Sequence, residues 1–157
     1  DTHFPNGYVD KDFCSDLEFG YSSAIKCSDR IISDFIAWVK KQDFYKNTTI
    51  IILGDHLSMQ QNFFPDNAKR AIFNVFINPK FSKEASKELI KNRLISHFDI
   101  TPLILDSIGF KVESFGLGRN PLYKKTLLEE YEDFNDLIMQ PSKTYESFWQ
   151  EKSNKEK

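Results

Sequence analysis

An aspartate and a histidine stand side by side at Asp55-His56, straight after Gly54 and the apolar run Ile50-Ile51-Ile52-Leu53. A carboxylate oxygen and an imidazole nitrogen suit a divalent cation of hard to borderline character. Neighbouring side chains on a regular strand point to opposite faces, so these two can meet at one ion only where the strand has ended. Gly54 is expected to supply that break, because glycine tolerates a backbone turn. Taken alone, the pair also reads as a loop carboxylate beside a surface imidazole. Two ligands fall short of the three or four protein groups that metals usually take.

Other reactive side chains carry bland alternatives. His97 precedes a predicted helix start and reads as a structural or surface histidine. Arg119 lies in the glycine-bearing segment Phe115–Arg119, where it could reach a substrate or form a salt bridge. Ser58, Met59 and Asn62 follow the Asp-His pair and either line a pocket or pack. Phe4, Tyr8, Phe63 and Phe64 could support a head group or sugar, although core packing explains aromatics more often. Cys14 and Cys27 are either a disulfide or two buried thiols. No further Cys or His stands at finger-like spacing from them.

The elements that must position these groups alternate in type. Ser22 to about Gln42 is predicted helical, with Ala24, Ile25, Ile31, Ile32, Phe35, Ile36 and Val39 recurring at three- and four-residue intervals. Thr48–Leu53 reads as a buried strand that delivers Asp55 to the carboxyl edge of a sheet. A second strand is predicted over 71–77, stopped by Asn78-Pro79. Residues 82–91 read as a short polar helix or a loop. A helix is expected to start at Asp99-Ile100-Thr101-Pro102, with Asp99 as N-cap and Gly109 as its stop. Leu127–Met139 reads as an acidic amphipathic helix. The pattern is α/β.

The 157 residues are 40% hydrophobic, with 15 Phe, which suffices for one globular core. Mixed charges summing to −2 argue against a nucleic-acid surface. No apolar run approaches the roughly 18 residues of a membrane span. The polar opening Asp1-Thr2-His3 lacks a basic-then-apolar leader, so the chain is expected to be a fragment of a longer one.

Asp1-Thr2-His3-Phe4-Pro5, the Cys-bearing helix, Ile52-Leu53-Gly54-Asp55-His56-Leu57-Ser58-Met59 and His97-Phe98-Asp99-Ile100-Thr101-Pro102-Leu103-Ile104-Leu105 occur in that order. Together they resemble the sulfatase-like branch of the alkaline phosphatase superfamily. Within it they are most similar to the phosphoglycerol transferases of periplasmic glucan synthesis, and more distantly to lipoteichoic acid synthases. Phe115-Gly116-Leu117-Gly118-Arg119 favours the glucan type. The resemblance implies the C-terminal portion of an alkaline phosphatase/sulfatase-like fold, a mixed sheet flanked by helices, over residues 1–125. A helical extension over 126–150 and a charged disordered tail over 151–157 are expected to follow.

In that family phosphoglycerol passes from phosphatidylglycerol to an acceptor hydroxyl through a Thr-linked intermediate, and diacylglycerol leaves. The acceptor implied here is a glycan of the periplasmic glucan kind. A divalent cation, Mn2+ first with Mg2+ or Zn2+ as alternatives, activates the nucleophile and neutralises phosphoryl charge. By motif, Asp55 and His56 resemble two of the metal ligands, and His3 resembles the histidine on the substrate phosphate oxygens. The nucleophilic Thr and the remaining acidic ligand belong to an N-terminal half that this sequence does not contain. Thr2, Thr48, Thr49 and Thr101 match no nucleophile motif, and Thr101 reads more simply as a capping residue. The chain alone is therefore expected to be inactive. The resemblance also places the parent protein on the periplasmic side of the bacterial inner membrane, which favours a Cys14–Cys27 disulfide. Phosphoethanolamine transferase, sulfatase-type hydrolase and non-catalytic accessory domain are the alternatives.

Overall fold

The computed structural model of the chain describes residues 7–81, 93–144 and 146–148. His3 and the 82–91 segment lie outside the described residues, as does the tail from residue 151. The chain divides into two compact units, Asp1–Lys80 and Phe81–Lys157. Among the described residues no helix is long and apolar enough to cross a membrane.

The first unit is built on helix α1, Tyr21–Val39. Its early turns are covered by the segment before it, because Cys14 and Cys27 form a disulfide across a Cα separation of 5.8 Å. Both cysteines are buried with Val9 and Ala24, and Leu17 packs against them. Arg30 on α1 forks onto Asp16 at 2.6 and 2.9 Å, and this hydrogen-bonded guanidinium draws the carboxyl down to about 2. Farther along, Ile31, Ile32 and Phe35 are exposed rather than in the core their spacing predicts. The disulfide-tied cover reaches the turns of Ala24 and Cys27, and the later face keeps Phe35 stacked on Trp38 at 6.0 Å.

A 3₁₀ turn at Asp43–Asn47 leads into strand β1, Ile50–Leu53. Strand β2, Asn74–Ile77, pairs with it antiparallel, Ile50 opposite Ile77 and Leu53 opposite Asn74. Both strands are shorter than predicted, each starting later than expected. β1 is half-buried with Leu53 exposed, rather than enclosed as its unbroken apolar pattern predicts, since among the described residues this sheet has two strands. Asn78 ends β2 at φ 56, a conformation Asn adopts more readily than most residues. Its amide donates to the Tyr45 and Thr48 carbonyls, which ties the end of β2 to the entry of β1.

The second unit centres on helix α2, His97–Ser107. Its N-cap lies three residues earlier than predicted. Ser96 is the N-cap, and Asp99 is the third helical residue, accepting from the Ser96 amide and hydroxyl at 2.8 Å each. This reciprocal capping box satisfies backbone donors that the helix start leaves open. Thr101 lies inside the helix, so its predicted capping role is corrected: Ser96 fills it. Phe115–Arg119, predicted as a loop, forms a tight hairpin of β3, Ser114–Phe115, and β4, Gly118–Arg119, turning at Gly116 with φ 58.

Buried polar groups hold this hairpin to α2. Asp99 also accepts from the Arg119 amide at 2.8 Å. Asn120 donates to Asp106 and to the Val112 carbonyl, and accepts from the Leu122 amide. The predicted helix 127–139 is broken into α3, Leu127–Glu130, and α4, Phe134–Ile138. Tyr131 stands in the extended region between them. Thr126 and Glu129 form a second capping box.

A candidate metal-binding loop

β1 ends at Leu53, so Asp55 and His56 occupy a bend in which both can turn to one side. Gly54 is required there for a reason other than a positive φ. A Cβ at Gly54 would stand 2.9 Å from Ile72 Cγ2, and the Gly54 amide donates to the Phe73 carbonyl at 2.9 Å. The glycine lets the ladder run one residue further while the Ile72 side chain closes over it.

Each of the two residues spends one polar atom on local backbone. Asp55 Oδ1 accepts from the His56 amide at 2.9 Å. His56 Nδ1 lies 2.7 Å from the Leu57 carbonyl oxygen. A carbonyl only accepts, so Nδ1 is the donor in this contact, and in the neutral ring the lone pair then falls on Nε2. Nε2 stands 3.7 Å from Asp55 Oδ2, and the side chains are 62% and 89% exposed respectively. Two ligand atoms each about 2.1 Å from one ion stand at most about 4.2 Å apart. The donor types and their spacing therefore fit a shared divalent cation. Among the described residues no group of three or more His, Cys, Asp or Glu side chains is placed to hold a metal ion.

Beyond the pair, the loop is anchored by contacts that its sequence does not advertise. Ser58 Oγ lies 2.6 Å from Tyr21 Oη on α1 and accepts from the Gln60 amide at 3.2 Å. Arg70 donates to the Ser58 carbonyl and lies over the Phe64 ring at 4.8 Å. Phe63 contacts Tyr21 and Phe64 edge-on, 5.3 Å between centroids in each case. Of the expected aromatic set, Phe63 and Phe64 thus pack on each other, Tyr8 is exposed, and Phe4 lies outside the described residues. Arg70 and Tyr21 stand apart in sequence from the Asp-His pair, and nothing in their spacing signals the contact.

Arg119 is held within the second unit. Its guanidinium pairs with Glu130, which raises the arginine's pKa and lowers the glutamate's. His97 is the first residue of α2.

Residues 5–110 match the Sulfatase family, well over half of the 157 residues, and the chain belongs to that family, whose fold is alkaline phosphatase-like. Among curated relatives, the phosphoglycerol transferase I proteins of Salmonella choleraesuis (strain SC-B67) and Salmonella typhimurium (strain LT2) are each 27% identical over 146 residues. The alignment covers 88% of this chain and 19% of each relative, so the chain spans about a fifth of their length. No solved structure matches the chain.

Proposed function

We propose that this chain is part of a phosphotransferase, and specifically of one that moves phosphoglycerol from phosphatidylglycerol to a glycan hydroxyl. Membership of the Sulfatase family and the names of the curated relatives support the general class. The observation that carries the site is the placement of Asp55 Oδ2 and His56 Nε2 3.7 Å apart at the end of β1, with His56 Nδ1 turned to the Leu57 carbonyl.

Asp55 and His56 would hold a divalent cation, Mn2+ foremost and Mg2+ or Zn2+ otherwise. When bound, such an ion lowers the pKa of a nucleophile and offsets charge on phosphoryl oxygens. Asp55 would offer a carboxylate oxygen to the ion, and His56 the Nε2 nitrogen, its Nδ1 being turned to the Leu57 carbonyl. The nucleophilic Thr and the remaining ligands would come from the N-terminal half of the same catalytic domain. His3 would contact the substrate phosphate, and Arg119, paired with Glu130 in this structure, would be a substrate-binding residue. The disulfide supports an oxidising compartment such as the periplasmic side of the inner membrane.

The test follows release of diacylglycerol from fluorescent phosphatidylglycerol by the parent polypeptide, with Mn2+ present. Asp55→Ala is expected to lower turnover at least ~1000-fold, on the order of the charge stabilisation a bound cation supplies, with the fold intact. Full activity in that variant overturns the assignment of the loop. No turnover in the unaltered parent overturns the transferase reading and favours an accessory domain.

A further inference from the structure

The arrangement around Ser58 says how the imidazole of His56 is set. Free imidazole can carry its proton on either nitrogen, and a metal ligand needs a defined one to be bare. In this loop the choice is made by the Leu57 carbonyl, 2.7 Å from Nδ1. That carbonyl belongs to the peptide plane joining Leu57 to Ser58. Ser58 is held on two sides, by Tyr21 at its hydroxyl and by Arg70 at its own carbonyl. With the serine pinned to α1 and to the segment before β2, the Leu57 carbonyl is left little freedom to swing away from the ring.

We propose that Tyr21, Ser58 and Arg70 are positioning residues that fix the tautomer and orientation of His56 through the Leu57 carbonyl, so that Nε2 is the nitrogen presented to a ligand. The ligand class, a divalent cation, rests on the reading of the loop given under Proposed function; the tautomer control does not. Tyr21 suits the task because its ring is braced edge-on by Phe63, so the hydroxyl arrives at Ser58 from a fixed platform. Arg70 is similarly braced by its position over Phe64.

The experiment is nitrogen NMR of the histidine side chains in the 157-residue chain, labelled with 15N, free of metal and well above the imidazole titration range. The chain has three histidines, and His56→Gln identifies the signals of His56. The unaltered protein is expected to hold His56 mainly in the Nδ1–H form. Tyr21→Phe, which keeps the ring contact with Phe63, and Arg70→Met are each expected to shift the population toward Nε2–H. Arg70→Lys, which restores a donor, is expected to recover much of the original ratio. Ser58→Ala removes the Tyr21 contact from the other side and serves if the tyrosine variant fails to fold. A His56 that is mainly Nε2–H in the unaltered protein overturns the proposal, as does an unchanged ratio in the folded variants.

A second readout separates this from the metal reading. Added Mn2+ is expected to broaden the His56 signals, with about tenfold more ion needed in Tyr21→Phe and no selective broadening in Asp55→Ala. Broadening that survives Asp55→Ala overturns the metal pair and leaves the tautomer result standing. Broadening lost in Asp55→Ala, with the tautomer unmoved by Tyr21→Phe, overturns the positioning role alone.

Discussion

The backbone of Gly118 rests against the carbonyl of Phe98, so closely that a Cβ on the glycine would stand 1.9 Å from the oxygen. Phe98 lies four residues before Pro102, whose ring nitrogen has no hydrogen to donate. The proline thus leaves that carbonyl without its helical partner, at the one place where β4 approaches. Next to it, the Arg119 amide is taken by Asp99. The first turns of α2 and the glycine-rich hairpin are two halves of one backbone contact.

Gly118→Ala is therefore expected to destabilise the protein by about 3 kcal/mol, at the upper end of overpacking costs, because the obstacle is main chain rather than a side chain that can rotate. Gly118 has no positive φ, so the whole penalty is steric. Urea unfolding checks this. A loss below about 0.5 kcal/mol, the scale of an ordinary surface change, would mean that the hairpin can lift off α2 freely.

The disulfide is the next large contribution. Cys14 and Cys27 are thirteen residues apart and both buried. Chain-entropy closure of so short a loop contributes about 3 kcal/mol. Replacing both by Ser should lower stability by about that amount, and dithiothreitol should lower the unaltered protein to a similar level. Equal urea midpoints with and without reductant would show that the covalent link contributes nothing to the fold.

Acid should weaken the second unit through Glu129. Its carboxylate receives a two-pronged bond from Arg93 and a further bond from the Thr126 amide, which hold its pKa below the usual glutamate range. A carboxyl with a lowered folded pKa contributes in full above its unfolded pKa and loses that contribution as pH falls through the folded value. Stability from this pair should thus be complete at neutral pH and decline below about 4.3, the ordinary glutamate value. Glu129→Gln should cost about 2 kcal/mol at pH 7, since it strips a largely buried guanidinium of its counter-charge. The cost should shrink toward pH 3. Melting temperatures of the two proteins across that range provide the check, and parallel curves would remove Glu129 as the source.

What was legible in the sequence was the set of local signals. The apolar spacing of Ala24 through Val39 placed α1, the β-branched run placed β1, and Asn78-Pro79 placed the end of β2. The exposed face at Ile31 and Phe35 was not legible, because periodicity marks which side of a helix is apolar and says nothing of what covers it. Asp99 illustrates a different limit. An acidic residue near a helix start fits both the N-cap and the third position, and only the neighbouring Ser96 with its bonding pattern decides between them. The Asp55-His56 pair was visible as adjacent ligand types, whereas Tyr21 and Arg70 reach Ser58 from 37 and 12 residues away. Side-chain bonds over such separations leave no periodic trace.

Gly54 offers the sharpest separation of sequence expectation from structural cause. If the glycine served a left-handed turn, Ala would be strained whatever surrounded it. Its φ lies outside that region, and the nearest obstacle is the Cγ2 methyl of Ile72 at 2.9 Å. That methyl sits on a β-branched carbon whose χ1 is restricted, so it yields only in part. Gly54→Ala should therefore cost about 1 kcal/mol and push the start of the Asp55-His56 bend away from β2. Ile72→Ala removes the obstacle at a cost of its own. In the double variant the Gly54→Ala penalty should vanish, giving a favourable coupling of about 1 kcal/mol in a double-mutant cycle read by urea unfolding. A penalty that persists unchanged in the Ile72→Ala background would return the glycine's role to backbone conformation and sever the link between Ile72 and the candidate loop.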